Sequence, residues 1–213
     1  MIELFVSSFI TFFVVIDPPG CAPIFAGLTA GTTAAHRRAM AVRAVFVAAL
    51  ILFGFALFGE ALLLGLGISL NAFKIAGGIM LFLIALEMVF EKRTERREDR
   101  AEKVKATEAT DISVFPMAMP MIAGPGSIAT VMLLMSQNSG IETAAVVLGA
   151  MFAILVLTLV ALLAAGPLMR LVGAKIEAVI SRLLGVLLGA LATQFVIDGI
   201  RASLVAAPAV TGH

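Results

Sequence analysis

Tryptophan and tyrosine are absent from this sequence, cysteine occurs once and histidine twice. A single cysteine, Cys21, excludes an internal disulfide and a cysteine metal cluster. His36 and His213 stand apart from each other and from any carboxylate cluster, so the spacing offers neither a metal site nor a catalytic triad. Charge is scarce as well: 14% of residues are charged, against roughly 25% in soluble domains. The net charge of +1 leaves no basic excess for a nucleic-acid partner. The sequence carries no phosphate-loop signature. No cofactor, no metal and no enzymatic activity are expected.

What the sequence has in their place is apolar surface. Hydrophobic residues make up 61% of the chain and the mean hydropathy is +1.11, where soluble domains hold roughly 45–50% apolar residues. A hydrocarbon core of about 30 Å divides such a chain into spans of about 20 residues. Apolar runs lie at 2–30, 42–66, 70–90, 114–136, 143–168 and 180–205, which predicts six spans. Unpaired backbone is costly in lipid and the alternation of a β-barrel is missing, so all six read as helices. The expected fold is an all-α polytopic membrane protein whose main partner is the lipid bilayer. The first run has no basic flank and no small-residue cleavage site, and so reads as a retained span.

Between the third and fourth runs, Glu91 to Asp111 holds seven basic and seven acidic residues. This stretch reads as a solvated connection held by local charge pairs. Lys and Arg accumulate on the cytoplasmic side of short loops. Arg37, Arg38 and Arg43 flank the first connection, Lys92, Arg93, Arg96, Arg97, Arg100, Lys103 and Lys105 lie in the third, and Arg170, Lys175 and Arg182 lie in or beside the fifth. Only Lys74 and Arg201 fall near the opposite face. Both termini are therefore expected outside, in a bacterial or archaeal plasma membrane.

Three spans per half would insert the second half upside down relative to the first. An offset near 106 lays Asp17-Pro18-Pro19-Gly20 over Gly124-Pro125-Gly126-Ser127, and an offset of 108 pairs Lys74, Gly77 and Leu83 with Arg182, Gly185 and Leu191. The expected organisation is a first three-helix repeat over 1–90, a charged cytoplasmic loop over 91–113 and an inverted second repeat over 114–213.

Within the first span, VVIDPPGCAPIF (14–25) carries two adjacent prolines. Proline has no amide hydrogen and clashes with the preceding turn, so the helix should break near Ile16 and restart with Asp17 as its N-cap and Pro18 in its first turn. The fourth span repeats the device in PMAMPMIAGPGSIATVM (116–132), where Gly124 to Ser127 supply the break and Pro116 and Pro120 loosen the preceding turn. A new helix N-terminus presents unpaired amides and the positive end of a dipole, which attract anions, while freed carbonyls can hold cations. Asp17 is the acidic residue deepest in a span. A carboxylate there costs about 2.5–3.5 kcal/mol on insertion scales, so a partner or a function should accompany it.

Glu60, Glu87 and Asp198 sit nearer span ends, and Asp198 is spaced to pair with Arg201. Gln194 and Thr193 could line a path or hold helices together. Gly185 and Gly189, with Gly77 and Gly78 in the third span, suit close helix crossings.

The two proline and glycine motifs, the charged central loop and the ending LLGVLLGALATQFVIDGI together resemble the MarC family of membrane proteins along nearly the whole chain. That family is similar to the lysine exporter superfamily in arrangement and includes SnatA-type transporters of small neutral amino acids. The resemblance implies a secondary transporter of glycine or alanine, coupled to protons or sodium, working by alternating access. Carried over residue by residue, the substrate site comprises Asp17, Pro18, Pro19 and Gly20 with Gly124, Pro125, Gly126 and Ser127. A passive channel and a non-transporting scaffold are the alternatives left open.

Overall fold

A computed structural model of the chain describes residues 1–106, 111–138 and 140–206, with the side chains of 100, 103–106, 167–178 and 206 outside the description. The side chains of Arg100, Lys103, Lys105, Arg170 and Lys175, used above in the charge argument, and the whole of His213 lie outside the described residues. Among the described residues every regular element is helical: α1 (Ile2–Ile16), α2 (Pro18–Leu28), α3 (Ala34–Gly65), α4 (Leu70–Val89), α5 (Lys92–Ala106), a wide π-type coil (Ser113–Ile122), α6 (Pro125–Gln137), α7 (Ile141–Leu163) and α8 (Ala165–Ala206). Among the described residues five stretches are long and apolar enough to cross a membrane: Ile2–Leu28, Ala34–Gly65, Leu70–Val89, Ile141–Leu163 and Val179–Val205. A sixth arises if the wide coil and α6, bent by 51° at their junction, form one span.

Local chemistry places most of the ends. Thr33 accepts a hydrogen bond from His36 N–H and Ser69 one from Ala72 N–H, capping α3 and α4. At the far end of α3, Gly67 takes the left-handed conformation (φ 71°) and Ile68 N–H reaches back to the Leu63 carbonyl, so the chain turns sharply into α4.

Burial sorts the helices. In the most apolar window of the α1–α2 span 67% of residues are buried, against 28–39% in the four continuous spans, so the broken first span lies deeper than any of those four. Large apolar side chains such as Phe46, Phe58 and Leu183 remain exposed on the outer helices, as lipid-facing residues must. The core runs from Phe12, Val15 and Ile16 of α1 through Phe25 of α2 and Leu81 of α4 to Leu133 of α6 and Met151 and Ile154 of α7.

Helices α4 and α8 pack antiparallel along their glycines. A Cβ on Gly78 would stand 2.8 Å from the Ala192 carbonyl oxygen, one on Gly185 3.1 Å from that of Ala85, and one on Gly199 3.1 Å from that of Asn71. Backbone approach this close needs glycine.

The charged connection departs from expectation. Its composition predicts a solvated connection, yet it returns as α5 against α2 and α4, burying Arg97 at 7% exposure and Ala101 at 8%. Its outer residues stay in water: Glu95, Arg96, Glu98 and Asp99 are exposed. A second departure is smaller. The Asp198–Arg201 pair suggested by spacing is absent among the described residues, and Asp198 instead accepts a hydrogen bond from Gln194 at 2.8 Å.

Candidate functional site

The break in the first span follows from its prolines. α1 ends at Ile16, Asp17 adopts the left-handed conformation (φ 59°, ψ 65°), and α2 restarts with Pro18 in its first turn. Aspartate tolerates that conformation better than most residues. Its Oδ1 accepts the Gly20 N–H at 3.1 Å, capping α2. Pro18 and Pro19 have no N–H to offer, and the Gly20 N–H is taken by the cap. The carbonyls of Val14, Val15 and Ile16 therefore lose their usual helical partners.

Two arginines of α5 reach these groups. Arg93 donates to the Val15 carbonyl at 2.6 Å. Arg97 donates to Asp17 Oδ2 at 2.8 Å, with both side chains under 10% exposed, and lies 3.5 Å from the Ile16 carbonyl. The space for this pair exists because residue 20 is glycine: a Cβ there would sit 2.3 Å from Asp17 Oδ2 and 2.9 Å from the Arg97 guanidinium. The cations expected at the freed carbonyls thus come, at Val15 and Ile16, from the chain itself.

The second break is built differently. Phe115 and Met119 are extended, which interrupts the wide coil beside Pro116 and Pro120. Gly124 caps α6 without a side chain and Pro125 opens the helix. A Cβ on Gly124 would lie 2.4 Å from the Pro120 carbonyl oxygen. Gly126 packs where a Cβ would be 3.4 Å from Val15 and 2.5 Å from Ile84, so the end of α1 and the start of α6 meet. Ser127 is 2% exposed and its hydroxyl makes no hydrogen bond among the described residues. One turn further, Thr130 is fully buried and its hydroxyl is also without a partner among the described residues.

These elements enclose a cavity of about 320 Å³. Gly124, Pro125, Gly126 and Ser127 form one wall, Val15 with Leu83, Ile84 and Glu87 of α4 another, and Arg93, Arg96 and Arg97 of α5 close it. Glu87 pairs with Arg96 at 2.5 Å. Arg93 also donates to Met88 Sδ at 3.0 Å. Burial of its guanidinium, and then repulsion from Arg97, lower the Arg93 pKa to about 10, which leaves it charged at neutral pH. Of the eight site residues proposed from the sequence, the four at the second break line this cavity, whereas Asp17 is joined to it through Arg97. Pro18, Pro19 and Gly20 stand behind that pair and off the wall. Sequence reasoning missed Arg93, Arg96 and Arg97. The signal available was their spacing, since 93, 97 and 101 share one face of a helix.

The pattern that defines MarC family integral membrane proteins matches residues 2–204. The chain belongs to the MarC family. Among its relatives, a UPF0056 membrane protein of Methanocaldococcus jannaschii is 38% identical over 203 residues, covering 95% of this chain and 98% of that protein. A UPF0056 membrane protein of Archaeoglobus fulgidus is 36% identical, covering 96% of this chain and 95% of that one, and one of Bacillus subtilis is 36% identical over 94% and 96%. The MarC family therefore has members in both bacteria and archaea, and it establishes this chain as an integral membrane protein. No solved structure matches the chain.

Proposed function

We propose that this MarC family protein is a secondary transporter of small neutral amino acids, glycine and alanine first, that works by alternating access. The observation that carries the proposal is the cavity of about 320 Å³ between the second break, α4 and α5. It lies at the small end of ligand pockets, which run from roughly 300 to 1,000 Å³, and a helix N-terminus, a carboxylate and cations line it from different sides. That is the set of groups a compact zwitterion needs.

An arrangement of two inverted halves, 1–90 and 114–213 joined by 91–113, gains support from the α4–α8 contact. Shifting residue numbers by 108 carries the approach of Gly78 to Ala192 and Val196 onto residues 186, 84 and 88, beside the approach of Gly185 to Ala85 and Met88. The same shift carries Gly199 and Ile75 onto 91 and 183, next to the Glu91–Arg182 ion pair. Contacts that map onto themselves in this way suit a two-fold axis between α4 and α8.

In this reading both termini face outside, α5 covers the site from the cytoplasm, and a proton or sodium gradient drives the cycle. The test is uptake of radiolabelled glycine and alanine into proteoliposomes with imposed proton or sodium gradients. Accumulation above the outside concentration is expected. Equilibration alone would assign a passive channel, and no uptake of either solute under any gradient would end the transport reading.

A further inference from the structure

Four charged side chains line the cavity: Glu87, Arg93, Arg96 and Arg97. Two of the arginines have a carboxylate within reach, Arg97 on Asp17 at 2.8 Å and Arg96 on Glu87 at 2.5 Å. Arg93 differs. Its hydrogen-bond partners are neutral, the Val15 carbonyl at 2.6 Å and Met88 Sδ at 3.0 Å, and it forms no ion pair with a carboxylate among the described residues. Among the described residues these ion pairs cancel, which leaves Arg93 as a surplus positive charge on the cavity lining. It faces the same space as the start of α6, whose N-cap Gly124 has no side-chain acceptor, and as Ser127, a residue 2% exposed that lines the cavity. A cation and a helix N-terminus in a partly dehydrated cavity both favour an anion, and guanidinium binds carboxylates in a fixed fork geometry. Glu87 is the one carboxylate among the described wall residues, and Arg96 opposite it has a side chain 58% exposed. An exposed partner of that kind is held weakly and can give way to a ligand ammonium.

We propose that Arg93, with the first turn of α6 and Ser127, is the carboxylate subsite of this cavity and that Glu87 receives the ammonium of the same ligand. The proposal rests on the transport reading only for the identity of the solute. It makes the protein selective for small solutes that carry both charges, and it makes Arg93 the residue that rejects amines lacking a carboxylate.

The experiment uses the full-length protein in lipid nanodiscs, with binding of radiolabelled glycine as the probe and acetate, methylammonium and glycinamide as competitors. In the wild type, glycine should compete at least about tenfold better than glycinamide or methylammonium, the loss expected for one charged hydrogen-bonded pair, and acetate should compete measurably. Arg93→Gln should weaken glycine binding by at least about tenfold and abolish competition by acetate, whereas Arg93→Lys, which keeps the charge and loses the fork, should lie between Arg93→Gln and the wild type and still let acetate compete. Glu87→Gln should reduce competition by methylammonium and leave that by acetate in place. Glycinamide competing as well as glycine, no binding of either carboxylate probe, or wild-type glycine affinity in Arg93→Gln would overturn the proposal. Should Arg93→Gln fail to fold, the wild-type competitor series and Arg93→Lys still decide it. Uptake by the same preparations separates the two readings. Carboxylate-selective binding without uptake ends the transport reading and keeps this subsite, and uptake with no preference for a carboxylate does the reverse.

Discussion

Asp17 does three things at once: it adopts a left-handed backbone, caps α2 through Oδ1 and binds Arg97 through Oδ2. Asparagine can do the first two. Asp17→Asn therefore isolates the ion pair, and because it leaves Arg97 buried without its counter-charge it should cost about 3–5 kcal/mol. A double-mutant cycle with Arg97→Gln, read by thermal unfolding in detergent, should recover much of that loss in the double variant. Simple additivity would show that the two side chains do not depend on each other. Gly20→Ala keeps every charge but places a methyl 2.3 Å from Asp17 Oδ2. It should destabilise the protein comparably, and wild-type stability in that variant would argue against the described geometry. Ser127→Ala removes a hydroxyl on the cavity wall. It should raise KM for glycine uptake while changing turnover less, and an unchanged KM would take Ser127 out of the site. The break itself was legible from Asp17 onward, because a missing proline N–H is a local property. The residue that completes it was not, because Arg97 lies 80 positions away.

At the scale of elements, α5 and the α4–α8 pair matter most. By composition α5 looks like a free solvated helix, and its exposed face behaves as one. The opposite face is drawn inward by the carbonyls of Val15 and Ile16, which have lost their helical N–H partners, and by a buried carboxylate, groups whose burial without partners would be costly. The glycines of α4 and α8 were legible as packing positions, and the structure pairs the two helices. Gly78→Leu should force α4 and α8 apart, since backbone cannot yield as a side chain can, and the yield of monodisperse protein after solubilisation should fall sharply. Where the chain returns from α5, Asp111 accepts hydrogen bonds from the Ser113 hydroxyl and N–H and pairs with Arg43. The Ser113 bonds, chiefly, hold its pKa below the ordinary 3.8. A depressed folded pKa contributes stability that is present above the ordinary value and is lost as pH falls through the folded one. The protection factors of amides over 112–115, corrected for the intrinsic pH dependence of exchange, should therefore fall on acidification below 3.8, and Asp111→Asn should remove that fall. A pH response identical in the variant would assign it to another group.

For the whole molecule, the testable statement is orientation. The side chain of Asp99 is exposed on α5, unlike the buried Ala101, so a cysteine at position 99 reports which side α5 occupies. The native Cys21 is buried and should stay silent. A membrane-impermeant thiol reagent should label Asp99→Cys in inside-out vesicles and leave it unlabelled in intact cells. Labelling from outside would reverse the topology and with it the assignment of α5 as the cytoplasmic cover.

The membrane class, the helical fold and the two places where helices break were legible along the chain, as were most span ends, although α3 starts eight residues before the apolar run at 42–66 and the fourth run crosses only as a bent pair. Each depends on neighbours along the chain: runs of apolar side chains, prolines without N–H groups, glycines and caps. What meets those breaks depends on how the helices pack. Polar groups freed in a helix must be satisfied by something, but any donor at the right distance will serve. The choice of Arg93 and Arg97 over water, a bound cation or a neighbouring span was fixed by the path of α5 back across α2 and α4, which local patterning does not encode.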